Sequence, residues 1–206
     1  PLAEDRDLDM DDYLHMGVMD ALEVISTVVP QARVHALGYC LGGTLLAIAA
    51  AAMARDGDER LATVSLLAAQ TDFTEPGELQ LFIDDSQVSF LEAAMWQQGY
   101  LDTRQMAGAF QLLRSNDLIY QPAIKSYMMG EAPPAFDLLY WNGDGTNLPA
   151  KMAVEYLRGL CQRDQFATTG FPVFGKPVTL ADVTLPICAI ACETDHIAHW
   201  RGSFNG

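Results

Sequence analysis

Positive charge is scarce in this sequence. Twelve lysines and arginines stand against 27 aspartates and glutamates, a formal net charge of −15. Such a surface repels phosphate backbones, so no nucleic acid is expected as a partner. A small anionic substrate is still admissible, because a few basic side chains gathered locally can bind one. Cysteine is scarce too. Cys40, Cys161, Cys188 and Cys192 are too few to staple a disulfide scaffold in 206 residues. Cys188 and Cys192 lie four apart with no second pair and no suitably spaced histidine, so no metal site is expected. Reduced thiols are the simpler reading, and with them a cytoplasmic location. Long apolar runs are missing: the longest, residues 44–54, is too short to span a bilayer and suits a buried helix. A charged leader with an apolar stretch and cleavage site is missing at the start. The chain opens on "PLAEDRDLDM" without Met and reads as a piece of something longer. No repeats or low-complexity segments stand out.

Half of the residues are apolar and 19% are charged, the balance of a globular chain long enough for one large domain or a core with an insertion. Residues 11–29 carry apolar side chains at Leu14, Val18, Leu22, Ile25 and Val29, the stripe of a helix with one buried face. Asp9, Asp11 and Asp12 supply its cap and suit its positive end, and Pro30 stops it. "RVHAL" (33–37) predicts a short strand, residues 38–43 a turn, and residues 44–55 a helix ended by "DGDE". "ATVSLLAA" (62–69) predicts a second strand, apolar enough for a parallel sheet covered on both faces. This order gives an α/β layout. From about 73 to 180 apolar helical stretches alternate with Pro and Gly breaks and no strand alternation is evident, so this part is expected to be a mainly helical cap. The sheet resumes at Ile187 as a buried strand to Ala191. The expected division is therefore 1–72 core, 73–180 cap insertion, and 181–206 core with an acid loop.

Reactive groups of open α/β sheets collect at the carboxyl ends of strands, and Cys40 lies just past one. Gly38-Tyr39-Cys40-Leu41-Gly42 fits G-x-S-x-G with Cys in place of Ser, a sharp strand-to-helix turn that lifts a nucleophile above the sheet. Gly38, Gly42 and Gly43 are expected to allow strained backbone and close passage of neighbouring chain. The helix N-terminus is expected to lower the Cys40 pKa, and the Leu41 N–H to face an acyl oxyanion. The bland alternative is a small buried thiol in a packing turn. Such an elbow predicts a later acid, then a histidine. Asp195 lies past the last strand, with Glu193 as its competitor. His196 and His199 are too near Asp195 to come from a separate loop and are expected to be structural. His15 and His35 are expected to be packing residues.

"GYCLGG" (38–43), "FIDDSQV" (82–88), "RSNDLIY" (114–120), "FDLLYWNGDGTNLP" (136–149) and "ETDHIAHW" (193–200) together resemble the catalytic domain of polyhydroxyalkanoate synthases. The resemblance runs over nearly the whole chain and implies an α/β-hydrolase core, a mostly parallel sheet flanked by helices, with a cap inserted between two core strands. It implies an acyltransferase that polymerises 3-hydroxyacyl-CoA, with 3-hydroxybutyryl-CoA as the expected substrate, through a thioester on Cys40. CoA is released and no cofactor is needed. It places the catalytic aspartate on Asp195, as orienter of a histidine or as base for the hydroxyl. The histidine itself belongs to a "GHIAG"-like segment that is expected beyond residue 206. His199 stands where proline is usual. The resemblance implies a fragment truncated at both ends and inactive alone, a homodimer, and association with polymer granules. The segment 136–149 either lines the pocket or supports it. Two other readings stand beside this one: a cysteine-dependent esterase or lactonase of the same fold, and a non-catalytic partner subunit.

Overall fold

The computed structural model describes all 206 residues. Its first helical run starts at α1 (Met10–Tyr13), where the Asp9 carboxylate accepts from the Asp12 N–H and Asp12 answers on the Asp9 N–H, both at 3.0 Å. A π-helical stretch (Leu14–Met19) leads into α2 (Asp20–Val28). The wider turn shifts the apolar stripe out of phase. Leu14 and Leu22 are buried and Val18 half-buried, but Ile25 and Val29 end up exposed instead of continuing the buried face.

Strand β1 (Val34–Tyr39) follows, then α3 (Leu41–Asp56) and β2 (Leu61–Leu67). The expected six-residue turn at 38–43 is tighter than read: Cys40 alone separates strand from helix. Helix α3 is apolar all round, from Leu46 to Met53, because it is buried all round. It ends at Gly57, left-handed at φ 73°.

The segment after β2 holds α4 (Asp85–Gln98), β3 (Tyr100–Leu101), α5 (Thr103–Leu113), α6 (Gln121–Ala123), α7 (Asp137–Gly143), β4 (Leu148–Pro149) and α8 (Ala150–Glu155). A π-helical stretch (Tyr156–Gln162) and the strands β5 (Phe171–Val173) and β6 (Lys176–Val178) complete it. Helices dominate, but β3 pairs β4 and β5 pairs β6, both antiparallel, so the segment is not free of strand as expected. These pairs are too short for alternation to register in the sequence. The main core joins α3 to Leu14, Leu61 and Val64, and also to Met152, Leu160, Phe166, Phe171, Val173 and Val178. A smaller core gathers Met95, Leu101, Ala150 and Ala153.

Strand β7 (Ile187–Ile190) completes a parallel sheet of order β1-β2-β7, and α9 (Trp200–Asn205) ends the fold. Two expectations about this sheet fail. The sheet is not covered on both faces: Leu37 is 64% and Tyr39 56% exposed, because α3 covers one face and no helix covers the other. And β7 is not buried: Ile187 is 45% and Ile190 56% exposed, since α3 packs on β1 and β2 only. No helix is long and apolar enough to cross a membrane.

Phe166 has no exposed surface and ties the loop after the π-helical stretch to the α3 core. Phe166→Ala is expected to cost about 3–5 kcal/mol in urea unfolding. A loss under 1 kcal/mol would mean that residues 152–178 do not share one core with α3.

Candidate active site

All three parallel strands end at the same edge, and the residues that follow them meet there: Cys40 after β1, Ala68 after β2, and the 191–199 loop after β7. Cys40 sits at φ 52°, ψ −127°, a conformation costly for any residue with a Cβ. It is held on both sides. Its N–H donates to the Leu67 carbonyl at 2.9 Å, and its own carbonyl accepts from Gly43 (2.9 Å) and Thr44 (3.2 Å), starting α3.

Two of the expected glycines are needed for close approach. A Cβ on Gly38 would lie 2.5 Å from the Gly43 Cα, and a Cβ on Gly43 would lie 2.5 Å from the Ala69 Cβ. Gly42 differs: a Cβ there meets nothing within 4 Å, so its reading as a crowded position is corrected. Its outer face of the first helical turn looks into open space. The Leu41 N–H, in that same turn, has no intrahelical acceptor and lies beside the Cys40 sulfur.

The thiol opens into a cavity of about 590 Å³, within the usual ~300–1,000 Å³ of small-molecule sites. Eighteen of its 23 lining residues are hydrophobic, and its mouth is open to solvent, where Cys40, Ser86 and Phe90 are exposed. Cys40, Leu41 and Ala68 lie on the core side, and Phe90, Met106 and Phe110 on the helical segment. This environment reverses the expected effect on Cys40. Cys40 keeps exposed surface, yet crowding by the atoms around its sulfur raises its pKa; the Leu41 N–H opposes this, and the Asp195 charge raises it further.

Asp195 follows β7 in a loop docked on residues 77–78: the Glu78 N–H donates to the His196 carbonyl at 2.9 Å. One oxygen of Asp195 accepts from the N–H groups of Ile197 (2.9 Å) and Ala198 (3.0 Å), two residues that line the cavity. Glu193, its competitor, is exposed. No histidine lines the cavity. His199 caps α9 and lies 3.5 Å from Glu75. His15 and His35 are not packing residues as expected; both are exposed, beside Asp20 and Thr63, because His15 lies on the solvent face of the π-helical stretch and His35 on the uncovered outer face of the sheet. Of the segment 136–149 only Leu148 reaches the cavity; Phe136, Tyr140 and Trp141 are exposed.

Sequence reasoning missed Tyr156. Its ring lines the cavity and packs edge-on against Phe73 at 6.1 Å. Burial holds its hydroxyl neutral, with its pKa well above the usual value, and the Cys161 and Cys40 sulfurs push it the same way. Cys161, beside it, is pushed up to about 12, chiefly by burial. No local sequence pattern marks either residue, since both belong to an ordinary helical stripe.

Comparison with known proteins finds relatives along nearly the whole chain. The chain is 40% identical over 198 residues to the poly(3-hydroxyalkanoate) polymerase subunit PhaC of Rhizobium meliloti, covering 96% of this chain and 32% of that protein. It is 39% identical to the poly(3-hydroxyalkanoate) polymerase of Methylorubrum extorquens, over 100% of this chain and 34% of that one. Against the PhaC subunit of Cupriavidus necator the identity is 34%, over 94% and 34%. This chain is homologous to poly(3-hydroxyalkanoate) polymerases. It spans about a third of the length of the curated relatives it matches. No family model matches it.

Within this polymerase-like segment, two outcomes test the elbow. Gly43→Ala is expected to destabilise by about 1–3 kcal/mol through overpacking. Gly42→Ala is expected to be neutral or to stabilise by up to about 1 kcal/mol, as Ala replaces Gly in open space within a helix. Equal losses in thermal unfolding would mean that the backbones do not touch as described. The second outcome concerns the thiol. Iodoacetamide labelling of Cys40, followed by peptide mass, is expected to have a midpoint above the ordinary thiol range, and Asp195→Asn to lower it by removing a negative charge. An unmoved midpoint would separate Asp195 from Cys40.

Proposed function

We propose that Cys40 is the nucleophile of a polyhydroxyalkanoate-forming acyltransferase. The observation that carries this reading is the strained Cys40 at a strand-to-helix turn, opening into an apolar cavity beside Asp195. The sulfur attacks the thioester carbonyl of a 3-hydroxyacyl-CoA, expected to be 3-hydroxybutyryl-CoA. A new S–C bond forms, the bond to the CoA sulfur breaks, and CoA leaves with the proton. One thioester replaces another, so activation is kept. A hydroxyl of a second acyl unit then attacks, and the ester formed is more stable than the thioester spent. The Leu41 N–H stabilises the oxyanion in both steps.

Asp195 is the acid of the site, oriented by its own loop. The reading needs a base for the thiol, and no histidine lines the cavity, His199 being engaged with Glu75. The chain alone is then slow or inactive, because a thiol with a raised pKa and no base is a poor nucleophile. The apolar walls favour a hydroxyl carried on a carbon chain over water and so favour synthase over esterase. Homodimer and granule contacts, and with them a cytoplasmic location at granules, are assigned to residues 116–146. All of these are exposed, and among them are Tyr127, Met128, Tyr140 and Trp141.

The test is intact mass after incubation with 3-hydroxybutyryl-CoA as the pH is raised, with and without added imidazole. A single acyl adduct is expected, faster with imidazole and absent from Cys40→Ala. An adduct that survives in Cys40→Ala, or none under any condition, would remove Cys40 as acyl carrier in this chain.

A further inference from the structure

Residues 70–78, which join β2 to the helical segment, lie against the Asp195 loop and the helix that follows it. Two glycines set the spacing. A Cβ on Gly202, in α9, would lie 2.7 Å from the Asp72 carbonyl oxygen, and the Gly202 carbonyl accepts from the Asp72 N–H at 3.2 Å. A Cβ on Gly77 would lie 2.5 Å from the Ile197 carbonyl oxygen and 2.8 Å from that of His196. Gly77 is also left-handed, at φ 71°, a region that residues with a Cβ rarely adopt. The Glu78 N–H donates to the His196 carbonyl at 2.9 Å, and Arg201 pairs with Glu75 at 2.9 Å.

Both sides of the Ile197 backbone are committed. Its N–H donates to the Asp195 carboxylate at 2.9 Å, next to that of Ala198 at 3.0 Å. Its carbonyl faces Gly77. A carboxylate held by two backbone N–H groups goes where that backbone goes. The approach of residues 196–197 to residue 77 is main chain on main chain, with no rotamer to absorb a shift. Gly57, which ends α3, provides the contrast. Its φ is 73°, but a Cβ there meets nothing within 4 Å. The two glycines share a backbone conformation and differ in what they touch.

We propose that Gly77 is a positioning residue for the Asp195 carboxylate: its lack of a Cβ lets the Ile197 and Ala198 N–H groups carry that carboxylate to its place beside Cys40. This rests on the reading of Asp195 as the acid of the acyl-transfer site and adds to it the residue that sets where the acid stands. A side chain at position 77 pushes the Ile197 carbonyl away, and the donors of Asp195 move with it.

The test is the pH dependence of Cys40 labelling by iodoacetamide in the whole chain. It is measured with Asp195 and with Asp195→Asn, each in the unaltered, Gly77→Ala and Gly57→Ala backgrounds. Removing the Asp195 charge is expected to lower the labelling midpoint by the same shift in the unaltered and Gly57→Ala chains. In Gly77→Ala the shift is expected to be less than half as large. Both glycine variants are expected to melt at a lower temperature through backbone strain, so lost stability alone does not account for a lost shift. Where Gly77→Ala does not fold, Gly77→Asn replaces it: Asn tolerates the left-handed region better, yet its Cβ meets the same two carbonyls. A shift of full size in the folded Gly77 variants would overturn the proposal. So would a midpoint that Asp195→Asn leaves unmoved in the unaltered chain. Labelling needs no acyl transfer. A shift lost with Gly77, in a chain that forms no acyl adduct, would uphold the positioning role while sinking the acyl-transfer reading.

Discussion

The carboxyl edge of the sheet depends on one close contact, that between Gly38 at the end of β1 and Gly43 in the first turn of α3. With no Cβ on either residue, the helix backbone comes down directly on the strand. The chain then has a single residue in which to reverse direction, and Cys40 takes the left-handed conformation with its side chain thrown outward. A strain of about 1–3 kcal/mol of this kind persists only when neighbours fix the backbone. Here the ladder bond to Leu67 and the two helix bonds to the Cys40 carbonyl do so. Thr44, one residue further on, ties the same turn to the loop after β2 through the Gln70 carbonyl. Ser203 of α9 reaches that loop at the Ala69 carbonyl. The Cys40 turn, the loop after β2 and α9 thus share one set of short contacts.

This compactness has an electrostatic consequence. The space that the turn opens into is walled by hydrophobic side chains, which disfavour a thiolate more than the Leu41 N–H favours it. The neighbouring groups do not help. Asp195 adds negative charge, and Tyr156 is a buried neutral donor, unable to serve as base. A thiol in this place works only if a base takes its proton as the bond forms.

Much of this was legible in the sequence. The run from "RVHAL" through "GYCLGG" to the alanine-rich stretch is local, and local patterns determine a strand, a tight turn and a buried helix; hence β1, α3 and the elbow were readable. So was Asp195, because it follows the last apolar strand. What was not legible depends on long-range packing. The helix-dipole rule favours a lowered Cys40 pKa, but the cavity that overrides it is built by α4 and α5, some fifty to seventy residues away in sequence. Ile187–Ile190 is apolar enough to read as buried, yet whether a strand is covered depends on a helix that the strand itself does not encode.

An active acyl on Cys40 would face two competing acceptors, water and a hydroxyl, that differ little in intrinsic chemistry. Discrimination must then come from the cavity. Apolar walls lower the concentration of both, and do so about equally for a single O–H. A hydroxyl attached to a short carbon chain differs from water in what it carries: its chain gains from contact with Phe90, Met106 and Phe110, on the order of 25 cal/mol per Å² of apolar surface removed from water. Water has no such handle. Selection for the hydroxyl would therefore rest on apolar contact rather than on polar groups.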